Sequence, residues 1–330
     1  MIVASVPVRV CDNGGWTDTW FGGPGRVLNI AVAPGVDVSI GATAGPDPVM
    51  VAVETSGDRY PVVPGAERTA RHPLLEAAID MFPPPRGRAV EIKVGSAVPA
   101  GCGAGTSAAV AVALLGALAA ARGAPLTPRE IAYAAHRLEV EVLGVESGIQ
   151  DQLSAAFGGI NYIEIDRYPD ATVRPLPVWD ELGSLLTLVF LGRAHDSSSV
   201  HREVIEKLGN HEHAAFSRLR DAALAGRDAV LGQDVYAFGQ AMIDNTDAQR
   251  SLHADLVGTD ATQVIDLAAT QRAIGWKVNG AGGDGGSVTI LNASREAKAT
   301  LDRRVAALDT RYQVLPIRIS GHGLEIRGTL

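Results

Sequence analysis

The stretch Pro99-Ala100-Gly101-Cys102-Gly103-Ala104-Gly105-Thr106-Ser107 runs directly into AAVAVALLGALAAA, Ala108 to Ala121. Upstream, Ala89-Val90-Glu91-Ile92-Lys93-Val94 alternates apolar and polar residues, the period of a half-buried strand. The order is therefore strand, glycine loop, helix. The glycines remove side chains just before a helix whose free N–H groups and dipole attract anions, so a di- or triphosphate fits there as well as a tight turn into a buried helix does. Thr106 and Ser107 are either Mg²⁺ ligands or phosphate donors, or plain N-caps. The apolar run Ala108 to Ala121 is shorter than the roughly 18 to 20 residues of a membrane span, which predicts a buried helix.

The next helix is announced by Thr127 as N-cap, Pro128 at the first helical position and Glu130 as capping-box partner, with Gly144 as its stop. Its apolar face is Ile131, Ala135, Leu138 and Val142. Glu141 has Arg137 one turn back and belongs to the solvated face. Glu139 instead borders the apolar stripe, where a carboxylate is costly unless a cation or hydrogen bonds compensate it; otherwise it is a partly exposed helix-edge residue. A loop carrying Gln150-Asp151-Gln152 follows, then the turn Gly158-Gly159 and a strand from Ile160 to Ile165. A lone loop aspartate is ordinarily a turn former or cap.

Towards the amino end, Ser5 to Val10 and Val36 to Ile40 alternate as strands around a glycine-rich loop, Asn13 to Gly25, and a turn-rich segment extends to about Gly87. Tyr168 to Val178 is spaced by prolines and reads as a connection between halves, giving domains 1–178 and 179–330. The second half offers a strand from Leu185 to Leu191, helices around Val200 to Leu224 and Asp228 to Leu256, and the Gly280 to Gly286 cluster. The strand Ser287 to Leu291, a helix from Ser294 and a closing strand Gln313 to Ile319 complete it.

With 330 residues, 46% hydrophobic and 20% charged, and a mean hydropathy of +0.12, the chain has enough apolar material for two folded lobes. A net charge of −8 and the absence of a Lys/Arg run argue against nucleic acid as a partner. Cys11 and Cys102 fit neither a metal spacing nor a disulfide framework, and the amino end lacks a basic stretch followed by an apolar one, so a cytoplasmic setting without a membrane anchor is expected. No Gly-Lys dipeptide exists for a Walker A loop. Gly280 to Gly285 matches G-x-G-x-x-G but is followed by a strand rather than a helix, against a dinucleotide fold. The eight histidines, and the basic residues Arg26, Arg193, His195 and Arg202, read as surface. Of 37 glycines, against about 23 expected at average usage, 13 lie in three loops at residues 14–25, 101–105 and 280–286.

Together these segments resemble the GHMP kinase superfamily, named for galactokinase, homoserine kinase, mevalonate kinase and phosphomevalonate kinase. Pro99 to Ala109 is similar to the family's second motif, Lys277-Val278-Asn279-Gly280-Ala281-Gly282-Gly283 to its third, and Val6 to Val10 to its first. Gly14-Gly15-Trp16-Thr17-Asp18 resembles the sugar-kinase element, and Gly148 to Gly159 looks most like the branch of D-glycero-D-manno-heptose 7-phosphate kinase and the L-fucokinase kinase domain. Departures are Ala104, Thr106, Asp284 and Cys11-Asp12-Asn13.

The resemblance implies a two-lobed α/β fold, with an amino-terminal lobe like ribosomal protein S5 domain 2 and a ferredoxin-like carboxy-terminal lobe. It implies a phosphotransferase using ATP and Mg²⁺ on a hydroxyl of a sugar or sugar phosphate, such as a heptose 7-phosphate. Galactose, fucose or a mevalonate-type phosphate as acceptor, or a catalytically silent ATP-binding module, are the alternatives. By resemblance, Asp151 and Arg9 are catalytic; Pro99, Gly101, Gly103, Ala104, Gly105, Thr106, Ser107 and Ala108 bind nucleotide. Asp18, Thr17, Gly15, Gly282 and Gly283 bind the acceptor, and Ser107 with Glu139 holds the metal. The oligomeric state is open, a homodimer included.

Overall fold

A computed structural model of the chain describes residues 1–44, 49–85, 87–194, 202, 204–206 and 213–330. Its axle is β2, Gly25–Ala42, paired from Leu28 to Ile40 with the antiparallel β1, Ile2–Asn13. The far edge of β2 is shared: residues 25–30 pair with β6, Ile160–Arg167, and residues 36–42 with β5, Val90–Ser96. The turn-rich segment before Gly87 holds a hairpin, β3 (Val49–Val53) with β4 (Asp58–Val62), and helix α1, Pro73–Met81; β3 pairs in parallel with β5. The interruptions by Gly and Pro hide these short elements from pattern reading. The expected connection Tyr168 to Val178 is likewise β7, Asp170–Leu176, the hairpin partner of β6.

Helix α2, Thr106–Ala121, is apolar all round and lies buried between this sheet and α3, Pro128–Arg137, as an all-apolar helix must. Gly116 lets the sheet side approach: a Cβ there would meet Leu324 Cδ2 at 2.9 Å. The capping box of α3 forms as read, Thr127 Oγ1 accepting from Glu130 N at 3.3 Å and Thr127 N donating to Glu130 Oε2 at 2.8 Å. The helix continues as a π-helical turn, Leu138–Val142, and stops before Gly144. That wider turn shifts the phase, so Val142 leaves the apolar face and is exposed. Asp151 lies in the first turn of α4, Gln150–Phe157, rather than in a loop.

After α5, Asp180–Leu185, the second lobe begins with β8, Leu186–Phe190. Residues 202 and 204–206 are helical, the rest of the expected start near Val200 lying outside the described residues; then come α6, Ala214–Gly232, which runs straight through the break expected near residue 226, and α7, Val235–Leu252. Gly226 is tolerated inside α6 because it packs over Asn13 and Leu28. Next come α8 (Thr259–Thr270), which sequence reading missed, then β9 (Gly275–Val278), β10 (Ser287–Leu291), α9 (Arg295–Leu308) and β11 (Gln313–Leu315). The sheet order β11-β8-β10-β9, all antiparallel, is ferredoxin-like, as the resemblance implied. Val264, Ile265 and Ala268 of α8 and Leu301 and Val305 of α9 form its core with the sheet.

The expected closing strand Gln313 to Ile319 is broken at Pro316: β12 (Arg318–Ile319) pairs with β2, and β13 (Glu325–Arg327) with β1. A division at 178/179 is accordingly a proposal about chain order, with 318–327 handed back to the first sheet. His136 also departs from the surface reading, being buried with Nε2 2.7 Å from the Tyr168 hydroxyl. His195, His201 and His211 lie outside the described residues.

Candidate active site

Between the lobes lies a cavity of about 500 Å³ that gathers side chains from β1, the loop after it, the glycine loop, the π-turn, α4 and the second lobe's Gly280 and Ala281. Arg9 enters from the middle of β1. Its Nε donates to Asp151 Oδ1 at 2.8 Å and its Nη2 to Asp151 Oδ2 at 3.0 Å, a bidentate pair, while Nη1 donates to the carbonyl of Gly103. Arg9 is 4% exposed, whereas the Asp151 side chain keeps 26% of its surface open to the cavity. Burial opposes the guanidinium charge, but the Asp151 and Asp12 carboxylates outweigh it and hold Arg9 above its ordinary pKa.

The glycine loop fits around that pair. Gly101, Gly103 and Gly105 all have positive φ, and Gly105 caps α2 at φ +70°. A Cβ on Gly105 would lie 3.1 Å from Asp151 Oδ2 and 3.4 Å from Arg9 Cγ, so the backbone must come this close without a side chain. Gly101, Gly103, Gly105, Thr106, Ser107 and Ala108 line the cavity. Pro99 and Ala104 do not; Ala104 is fully buried, and its carbonyl accepts from Arg9 N at 3.0 Å.

Glu139 is 6% exposed on the π-turn, a feature that recurs at functional sites because the inserted residue re-aims its neighbours. Its Oε2 accepts from Ser147 Oγ at 2.9 Å and Gln152 Nε2 at 2.6 Å, and its Oε1 faces Ser107 Oγ at 3.3 Å. Burial pushes the carboxyl up to about 7, the Asp151 charge adding to the shift and the three donors opposing it. A buried carboxylate that is costly to ionise, beside a hydroxyl that opens to the cavity, fits Mg²⁺, which takes few protein oxygens and completes its shell with phosphates and water. Among the described residues no cluster of three or more His, Cys, Asp or Glu suits a metal on its own.

At the other end, Asp18 is 4% exposed and lines the cavity. Its Oδ2 accepts from Gln150 N at 3.1 Å, which ties the loop after β1 to the start of α4. Burial pushes Asp18 up to about 6, against the pull of that N–H. Gly148 is required here, because a Cβ would sit 1.9 Å from Asp18 Oδ2.

Thr17 is fully buried and does not line the cavity; its hydroxyl bonds the carbonyls of Gly14 (2.7 Å) and Arg26 (3.1 Å) and shapes the loop. Gly15 packs on Asp12, a Cβ there meeting Oδ2 at 2.8 Å, and Gly282 packs on Leu256, whose carbonyl oxygen a Cβ would meet at 2.1 Å, while Gly283 N donates to that carbonyl at 3.0 Å. Gly15, Gly282 and Gly283 thus lie outside the lining, and Gly280, Ala281, Trp16 and Asp12 lie within it. Arg26 and Arg193 pair with Asp166 (2.9 Å) and Asp260 (2.5 Å), Arg202 is exposed, and His195 lies outside the described residues.

Residues 70–159, which carry the glycine loop, Glu139 and Asp151, match the family of GHMP kinases N terminal domain. The chain has a GHMP kinase fold. It is 29% identical over 248 residues to a mevalonate kinase of Thermococcus sibiricus, a match spanning 72% of this chain and 69% of that one. It is also 29% identical over 196 residues to a D-glycero-alpha-D-manno-heptose 7-phosphate kinase of Campylobacter jejuni, spanning 58% of each. A crystal structure of a D-glycero-D-manno-heptose 1-phosphate kinase from Bacteroides thetaiotaomicron superposes with a TM-score of 0.78 at 22% identity, covering 99% of both chains. In this GHMP kinase fold the match extends over the second lobe as well, which the 70–159 segment alone does not reach. Among the described residues no helix is long and apolar enough to cross a membrane.

Proposed function

We propose that this chain is an ATP-dependent kinase acting on a hydroxyl of a sugar or sugar phosphate. The observation that carries the reading is the bidentate Arg9–Asp151 pair, set between the glycine loop on one side and Asp18 on the other. Asp151, open to the cavity, orients the acceptor hydroxyl and receives its proton as the new oxygen–phosphorus bond forms and the bond to the departing ADP oxygen breaks. Phosphoryl transfer has a loose transition state, so this positioning contributes more than basicity. Arg9 fixes both Asp151 oxygens and brings a permanent positive charge beside the reacting phosphoryl. Backbone from Gly101 to Ser107 would cradle the phosphates at the start of α2. Ser107 and Glu139 would hold Mg²⁺, which when bound neutralises phosphate charge.

The buried carboxylate of Asp18, which lines the cavity, favours a hydroxyl-rich molecule, since carboxylates accept hydrogen bonds from such groups. Likeness to a mevalonate kinase across 72% of the chain makes mevalonate the second acceptor to test. An ADP-release screen with Mg-ATP against heptoses, their 7-phosphates, fucose, galactose, mevalonate and its phosphates tests the reading. Turnover with a sugar that is lost in Asp151→Asn is expected; no turnover with any acceptor overturns it.

A further inference from the structure

Cys11-Asp12-Asn13 departs from the motif that its neighbours match, and of the three only Asp12 lines the cavity. Its backbone is unusual: Cys11 has φ +53°, a left-handed conformation rare outside glycine. The β1–β2 register shows the reason. Val10 pairs with Ile30 but Asn13 with Leu28, so β1 carries one extra residue, a β-bulge. Strict alternation would put Cys11 on the face of Arg9 and turn Asp12 away; the extra residue brings Asp12 to the Arg9 side, where it lines the cavity.

Asp12 meets the other lobe there. Its carboxylate pairs with Lys277 Nζ at 3.3 Å, both side chains being 1% exposed, and accepts from Gly280 N at 3.2 Å (Oδ1) and 3.1 Å (Oδ2). Cys11 N donates to Asn279 Oδ1 at 3.2 Å, and Lys277 Nζ donates to Gln249 Oε1 at 3.2 Å. Gly280, so held, comes against the catalytic pair: a Cβ on it would lie 2.9 Å from the Gly103 carbonyl and 3.3 Å from Arg9 Nη2. A buried ion pair is a poor source of net stability, because desolvation offsets most of its attraction, whereas it defines geometry sharply.

We propose that Asp12 and Lys277 are positioning residues, a buried clamp between the lobes that fixes the Gly280-Ala281 backbone against Arg9 and the glycine loop. The kinetic part rests on the kinase reading above. The clamp makes the acceptor end of the cavity a two-lobe construction, while Glu139, Ser107 and the glycine loop belong to the first lobe alone.

The test uses the full chain carrying Asp12→Leu with Lys277→Met, which removes both charges together and leaves neither ion unpaired. The double variant should keep near-native unfolding in urea and an unchanged KM for ATP, but raise the acceptor KM about tenfold to a hundredfold through misplacement. Amide hydrogen exchange over 280–286 should accelerate, with the 99–121 segment unchanged. Wild-type acceptor KM and wild-type exchange in the double variant would overturn the clamp. Should the double variant fail to fold, Asp12→Asn, which keeps an acceptor for Gly280 N–H, carries the same two readouts and the same overturning result. If the wild-type chain turns over no acceptor, the kinase reading falls and exchange over 280–286 alone decides the clamp.

Discussion

Arg9 and Asp151, 142 residues apart in the chain, are joined by two parallel hydrogen bonds of 2.8 and 3.0 Å, both from the Nε/Nη2 edge of a single guanidinium. Strand β1 and helix α4 can hold that fork only if the glycine loop between them carries no side chain at Gly105. Asp151→Asn keeps the shape and removes the proton acceptor, so kcat should fall by about 10²- to 10⁴-fold with little change in the KM for ATP. Arg9→Lys keeps charge but cannot span both oxygens, and should lower kcat without restoring full activity at any pH. Initial ADP-release rates with a saturating acceptor measure both. Equal kcat in wild type and Asp151→Asn would refute the assigned role.

Glu139 gives a pH prediction. Its folded pKa of about 7 lies above the ordinary 4.5, so between those values the folded state holds a proton that the unfolded chain releases. Below the window both states are protonated and the residue is neutral to stability. As pH rises through it, stability is lost, reaching an upper bound of about 3 kcal/mol above the window. Glu139→Gln removes the penalty, so its urea-unfolding free energy relative to wild type should grow as pH rises from about 5 to about 8 without Mg²⁺ and nucleotide. The same variant should lose Mg²⁺ affinity in calorimetry with ADP present. A stability difference that is flat with pH would contradict the burial penalty.

The capping box offers a control away from the cavity. Thr127 and Glu130 exchange bonds at 3.3 and 2.8 Å at the start of α3. Thr127→Ala should lower unfolding free energy by about 1 kcal/mol and leave kcat and both KM values as in wild type. A loss of kcat there would mean that the start of α3 is coupled to Glu139 through the helix.

What was legible in the sequence follows the range of the forces involved. The loop and helix at 99–121 and the cap at Thr127 depend on neighbours within a turn or two, and they form as read. Glu139 was separable from Glu141 by the helical period, and the structure buries the first and exposes the second. The hairpin at 49–62 and helix α1 escaped because short elements among prolines and glycines carry little period. Asp12 escaped for a different reason: its direction depends on one extra residue in β1, and its partners Lys277 and Gly280 come from another lobe. Thr17, Gly282 and Gly283 match a motif by residue type, and type does not tell which residues of a loop face a cavity; all three turn inward to hold loops while their neighbours Trp16, Gly280 and Ala281 line it.

Gly105 sets a left-handed backbone position directly against the Arg9–Asp151 pair. Its φ of +70° costs an L-residue about 1–2 kcal/mol on its own. Alanine would also place a methyl 3.1 Å from Asp151 Oδ2, 3.2 Å from its Cγ and 3.4 Å from Arg9 Cγ. Neither partner can retreat freely, because Arg9 is buried and bonded to Gly103 and Asp151 is fixed by Arg9. Gly105→Ala should therefore lower both stability and kcat, the latter by more than the loss of folded protein explains. Denaturant unfolding together with kcat normalised to folded enzyme separates the two. A variant with normal kcat per folded molecule would mean that the Arg9–Asp151 pair tolerates displacement, and that its spacing is not what the glycine loop protects.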